Sequence, residues 1–150
     1  MSILTIRDCW MFVWAFNLVR SHMRFPKMCF AFAGWWGVIS LTPLLFFYKA
    51  IGKLSPPQLN HPEYYFGFLT VALAWQIGFL VISRDPVRYR TMMLPGMIEK
   101  FGYAACCFVL LAEHQVSSIT AMFGAVDFVL GLGFLLSYLR AGCDQPPAFV

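Results

Sequence analysis

The stretch PGMIEKFGYAACCFVLLAEH, residues 95–114, decides how this chain is read. Without Glu99 and Lys100 it is the text of a helix that crosses a bilayer. With them, two adjacent charges sit inside an apolar run. A charged side chain at membrane depth costs about 2.5–3.5 kcal/mol on insertion scales, so it persists there only with a partner or a task.

Composition settles the solvent. Hydrophobic residues make up 60% of the 150, aromatics 18% and charged residues 12%, against about 25% charged in a typical soluble domain. A soluble chain of this length could not hide that much apolar surface. The net charge of +4 comes from scattered Lys and Arg, which gives no nucleic-acid footprint. Five cysteines form no C-x-x-C and no zinc-like spacing with histidine, so no metal is expected. Cys106 and Cys107 are neighbours on a helix, about 100° apart, and read as small apolar fillers.

Four segments can span a hydrocarbon core of about 30 Å, which takes about 20 apolar residues. They are residues 29–48, 64–83, 92–112 and 117–139. Ser55-Pro56-Pro57, His61-Pro62 and Asp85-Pro86 punctuate the connections, and a few residues around Glu113-His114-Gln115 join the last two spans. The expected fold is all-α: an integral-membrane, four-helix antiparallel bundle over residues 29–139. Residues 1–28 form a cytoplasmic or interfacial segment, with CWMFVWAFNLV, 9–19, as an amphipathic interfacial helix bracketed by Arg7, Asp8 and Arg20. Residues 140–150 form a tail. Met23 also opens a plausible shorter start, leaving 1–22 as an extension.

Lys and Arg set the orientation. Arg7, Arg20, Arg24 and Lys27 precede the first span, Arg84, Arg88 and Arg90 lie between the second and third, and Arg140 follows the fourth. Only Lys49 and Lys53 fall on the other side. Both termini are therefore expected in the cytoplasm, in a bacterial inner membrane.

Helical spacing then assigns faces. Gly67, Val71, Ala74 and Gly78 make a small-residue stripe on the second span, the type of surface that lets helices approach. Thr120, Gly124, Asp127 and Gly131 share a face of the fourth, and Gly96, Glu99, Tyr103 and Cys107 share one of the third, with Lys100 about 100° away. Gly34 and Gly37 flank a Trp pair in the first, and Pro43 is expected to kink it. From the cytoplasmic end, Glu99 and Lys100 lie about 11–12 Å deep and Asp127 about 18 Å. Lys100 can reach Asp127 or snorkel outward, and Glu99 can pair with an Arg of the 84–90 loop.

The polar cluster Glu99, Lys100, Asp127 and Tyr103 is the candidate site, with Trp75 and Gln76 as lining. It reads either as glue that fixes helix register or as a polar cavity. Gln76 lies opposite the small stripe and can equally face another chain. His61 and Glu63 in the outer loop are two potential ligands, a weak signal beside the aromatic-belt role of Tyr64 and Tyr65.

HPEYY, RDPVRYR, the Glu99-Lys100 pair and Asp127 within FGAVDFVLGLGFLLSYLR carry a resemblance over about residues 24–140. The chain is similar to a family of small bacterial four-helix membrane proteins and more loosely resembles the DoxX-like group. The resemblance implies the fold but no catalytic role, and DoxX-like proteins imply a link to respiratory or redox membrane systems. Residues 1–22 fall outside it. Small multidrug exporters, disulfide-generating quinone reductases and sterol-isomerase-like bundles fit less well. The first span has no acid, the vicinal cysteines lie within a span, and no His lies inside one.

Two functions are expected from this reading. The first is a non-catalytic accessory or assembly subunit of a larger membrane complex, respiratory or redox in kind, or a homo-oligomer. The second is a binding protein, carrier or enzyme for a lipid-like or quinone-like molecule held at Glu99, Lys100 and Asp127. Neither requires a cofactor beyond a bound lipid or quinone.

Overall fold

A computed structural model describes residues 6–54 and 61–143, with side chains described over 23–51 and 61–142. Its elements are helices α1 (Ile6–Leu41), α2 (Tyr48–Leu54), α3 (Pro62–Arg84), α4 (Met93–Ala112) and α5 (Ser118–Cys143). Short 3-10 turns cover Thr42–Leu45 and Arg90–Met92, and no strand occurs among the described residues. Four stretches are long and apolar enough to cross a membrane: Met23–Leu45, Pro62–Arg84, Arg90–Ala112 and Ser118–Gly142.

The first of these starts earlier than residue 29, because α1 is one continuous helix of 36 residues. At about 1.5 Å per residue it is about 54 Å long, well beyond a hydrocarbon core. No break separates the 9–19 run from the span. The interfacial placement expected of that run falls on side chains outside the described residues. At the other end Pro43 terminates the helix instead of kinking it. Its ring nitrogen has no proton for the carbonyl four residues back. The chain tightens into the 3-10 turn, whose end is held by Phe46 N–H and Phe47 N–H donating to the Pro43 carbonyl at 3.0 and 3.2 Å.

α4 and α5 are joined by a tight turn. Glu113 caps α4, and His114 takes a left-handed conformation with φ 57°. The His114 N–H donates to Leu111 O (3.0 Å) and Gln115 N–H to Leu110 O (2.9 Å), the double closure of a Schellman motif. The turn sends α5 back along α4. Contacts pair Cys107 with Gly124, Lys100 with Asp127, Phe101 with Gly131 and Gly96 with Phe134, so numbers fall on one helix as they rise on the other. The same inversion links α1 and α3 through Phe30–Phe79, Gly37–Gln76 and Leu44–Tyr65.

The two hairpins meet at one end. Phe30 of α1, Phe79 of α3 and Phe134 of α5 are all fully buried, with ring centroids 4.0 Å (Phe30–Phe134), 4.8 Å (Phe79–Phe134) and 6.0 Å apart (Phe30–Phe79). Met93, Ile82, Ala33, Leu130 and Ala141 close around them. Arg90 locks the same end: its guanidinium lies 4.0 Å over the Tyr138 ring, and Nε donates to Tyr138 O at 3.1 Å. Outside this core the helices are apolar on their outer faces too, with Trp35, Ile39, Val71, Ile98 and Val129 all more than half exposed. Such an outer surface suits hydrocarbon, not water.

The small stripe on α3 is a correction. Gly67, Val71 and Ala74 are exposed, and α3 buries Leu69, Ala72, Gln76, Phe79 and Ile82 instead. The reason is that α1 supplies the gaps. Gly34 lies against Leu80 and the Gln76 backbone, so α3 contributes the larger side chains to that seam. The glycine faces of α4 and α5 do pack inward, at Gly96, Gly124 and Gly131.

A matched pair of substitutions tests this arrangement. A methyl at Gly124 would stand 2.6 Å from the Cys107 Cβ, whereas one at Gly67 would meet nothing within 4 Å. Gly124→Ala is expected to destabilise the purified protein by about 1–3 kcal/mol through overpacking. Gly67→Ala should be neutral, or stabilising by up to about 1 kcal/mol from helix propensity. Thermal unfolding in detergent reads both, and equal behaviour of the two would contradict the packing described.

Candidate functional site

Lys100 is the centre of the polar cluster. It is only 5% exposed. Its Nζ lies 3.1 Å from Asp127 Oδ1 on α5 and 3.3 and 3.4 Å from Glu99 Oε2 and Oε1 on its own helix. The Phe79 ring centre lies 5.5 Å from the ammonium. Consecutive residues point about 100° apart on a helix, so Lys100 faces the interior while Glu99 stands beside it, partly buried. Between the two routes open to Lys100, the structure shows the inward one. The alternative pairing of Glu99 with an Arg of the 84–90 loop does not form, since Glu99 turns to Lys100 and Arg90 is engaged by Tyr138.

The cluster is not sealed between helices. It forms one wall of a cavity of about 480 Å³, within the 300–1,000 Å³ range of small-molecule sites. α1 contributes Trp36, Gly37, Ser40 and Leu41, and the 3-10 turn contributes Leu44. Phe68, Ala72 and Gln76 come from α3, Glu99, Lys100 and Tyr103 from α4, and Phe123 and Asp127 from α5. Geometry explains the gap. α1 and α5 touch through Phe25–Arg140, Cys29–Gly133 and Phe30–Phe134. Further along, the facing side chains Trp36, Ser40, Phe123 and Asp127 border the cavity instead. Across the α3–α4 side, Phe68 and Tyr103 stack with centroids 6.4 Å apart. Trp36, Phe68 and Phe123 are each at least 40% exposed, so the cavity reaches the apolar outer surface.

Gln76 is the buried polar group on the α3 side of the wall. It is 2% exposed, so it faces the interior and not another chain. Its Nε2 donates to Ala72 O at 3.0 Å, while Oε1 lies against Gly37 without a hydrogen-bond partner. A methyl at Gly37 would overlap the Gln76 amide, so glycine is required there for Gln76 to keep its place. Glu99 Oε2 is likewise buried without a directed hydrogen bond, although Nζ is 3.3 Å away. A buried polar atom without a partner is uncommon, and both of these are closed off by their neighbours.

Of the residues singled out from sequence, Glu99, Lys100, Asp127, Tyr103 and Gln76 converge on this wall. Trp75 does not line it. As the neighbour of Gln76 it points about 100° away and packs on Phe79 in the aromatic core, with centroids 5.9 Å apart. His61 and Glu63 are exposed and bond to each other at 3.0 Å, at the start of α3 and away from the cavity lining. Groups of three or more metal-binding side chains are not found among the described residues. Cys107 fills space against Gly124, whereas Cys106 is exposed. Sequence reasoning missed Trp36, Gly37, Ser40, Leu41, Leu44, Phe68, Ala72 and Phe123. Only Gly37 and Pro43 carried a usable signal, one marking a close approach and the other a helix end beside an opening.

Comparison with protein-family models, with curated proteins and with solved structures finds no match to this chain. The site is therefore read from its own residues.

Lys100→Met should be more damaging than removal of the whole cluster. The single change leaves two carboxylates together in a low-dielectric wall, and breaking a buried ion pair on one side typically costs about 3–5 kcal/mol. The triple variant Glu99→Gln, Lys100→Met, Asp127→Asn should recover much of that loss. Melting of the purified proteins in detergent measures both, and a single variant as stable as the parent would contradict the geometry.

Proposed function

We propose that this chain is a bacterial inner-membrane protein that binds or carries a lipid-like amphipathic molecule in the cavity beside Glu99, Lys100 and Asp127. One observation carries the reading: the ion cluster opens onto a cavity of ligand size. Charges that served only to fix helix register would gain most from being packed tightly between α4 and α5. Here they share a wall with apolar and aromatic groups, the combination that holds a molecule with a polar head and an apolar body. The contact of the cavity with the outer surface at Trp36, Phe68 and Phe123 supports entry of such a molecule from the bilayer.

The bundle behind this function is an antiparallel one, supported by the inverted pairing of residues along α1–α3 and α4–α5. Arg24, Lys27, Arg84, Arg88, Arg90 and Arg140 fall toward the end that holds the aromatic core, which supports a cytoplasmic assignment for that end and for both termini. The cavity then extends from the depth of Glu99 and Lys100 toward the outer end of the bundle. The accessory-subunit role within a respiratory or redox complex is the other reading, and the same experiment separates them.

Purification from native membrane, followed by mass spectrometry of what accompanies the protein, should reveal one amphipathic small molecule at near-stoichiometric amount. Ser40→Trp, which fills the cavity from α1, should remain folded and lose it. A stoichiometric second membrane protein without a small molecule would favour the accessory role and contradict the proposal.

A further inference from the structure

The charge of the cavity wall narrows the ligand class, and this step rests on the proposal that the cavity binds a ligand. Glu99, Lys100, Tyr103 and Asp127 are the ionisable side chains on the wall, and together they come from α4 and α5. α1, the 3-10 turn and α3 face them with Trp36, Ser40, Leu44, Phe68 and Gln76 among others, none of them charged. Two carboxylates against one ammonium leave one negative charge in excess when all are ionised. Lys100 cannot cancel both, and its Nζ is already engaged by Asp127 at 3.1 Å and Glu99 at 3.3 Å.

The neutral part of the wall points the same way. Gln76 adds a neutral amide, with an N–H given to Ala72 O and Oε1 packed against Gly37. Four aromatic side chains, Trp36, Phe68, Tyr103 and Phe123, make up much of the rest. Aromatic faces attract cations within about 6 Å of the ring centre, more strongly where water is excluded. An anionic head would meet excess negative charge in low dielectric, where Coulomb repulsion is weakly screened. A quinone only accepts hydrogen bonds, and the Lys100 ammonium already donates to Asp127 and Glu99.

We infer that the cavity selects a membrane-soluble monovalent cation, whose positive centre sits by Asp127 and Glu99 with the aromatic rings completing its surroundings.

Titration calorimetry of the full chain in an uncharged maltoside detergent tests this with three probes: tetraphenylphosphonium, its anionic isostere tetraphenylborate, and a short-chain benzoquinone. Saturable one-to-one binding of the phosphonium is expected, tenfold or more tighter than either other probe. Asp127→Asn should weaken it at least tenfold, with Glu99→Gln as the second variant should the first fail to fold. Borate or quinone binding as tight as the phosphonium, or phosphonium binding unchanged in both carboxylate variants, would overturn the inference while leaving a ligand cavity in place. No binding of any probe, with no small molecule accompanying the protein from native membrane, would overturn both.

Discussion

The ammonium of Lys100, buried between Asp127 and Glu99, constrains the rest of the molecule. An ion taken out of water is costly, and its attraction to a counterion offsets that cost only when the geometry is good. Here one ammonium serves two carboxylates on two helices, which fixes α4 against α5 in both rotation and register. Slip α4 by one residue and Lys100 swings by about 100° toward a different neighbour. The tight turn at His114 and the close approach at Gly124 are consistent with a single register for the pair.

The second hairpin is set differently. α1 and α3 meet through gaps at Gly34 and Gly37 that accept Leu80 and the Gln76 amide, so shape, not charge, specifies that seam. The two hairpins meet at the cluster of three phenylalanines, and again where Phe68 stacks on Tyr103, and the space left between becomes the cavity. In a membrane there is no hydrophobic drive to close such a gap, because lipid tails are as apolar as the side chains that line it. An aromatic-lined cavity with a polar wall is therefore stable in a way it would not be in a water-soluble core.

This also explains what was legible in the sequence. Span number, approximate limits and the cluster of Glu99, Lys100 and Asp127 follow from hydropathy and the price of buried charge, which act locally. Which face of α3 is buried does not, since both faces are apolar and the choice depends on where α1 places its glycines. Periodicity points to Gly67 and Gly78, while the buried seam runs through Ala72, Gln76 and Phe79. For the same reason Trp75 turns to the aromatic core and not to the cavity. The cavity itself was invisible, because Trp36, Leu44, Phe68 and Phe123 come from four separate elements and look like ordinary span residues.

In the proposed function, one ammonium shared by two carboxylates leaves negative charge facing an aromatic cavity, and that charge holds a cation. The most direct measurement is a structure with tetraphenylarsonium, located by anomalous scattering from its arsenic. The account predicts one arsenic peak inside the cavity, on the Asp127 side and within about 6 Å of an aromatic ring. Arsenic found only on the outer surface, with Lys100 still between its two carboxylates and the cavity empty, would contradict it.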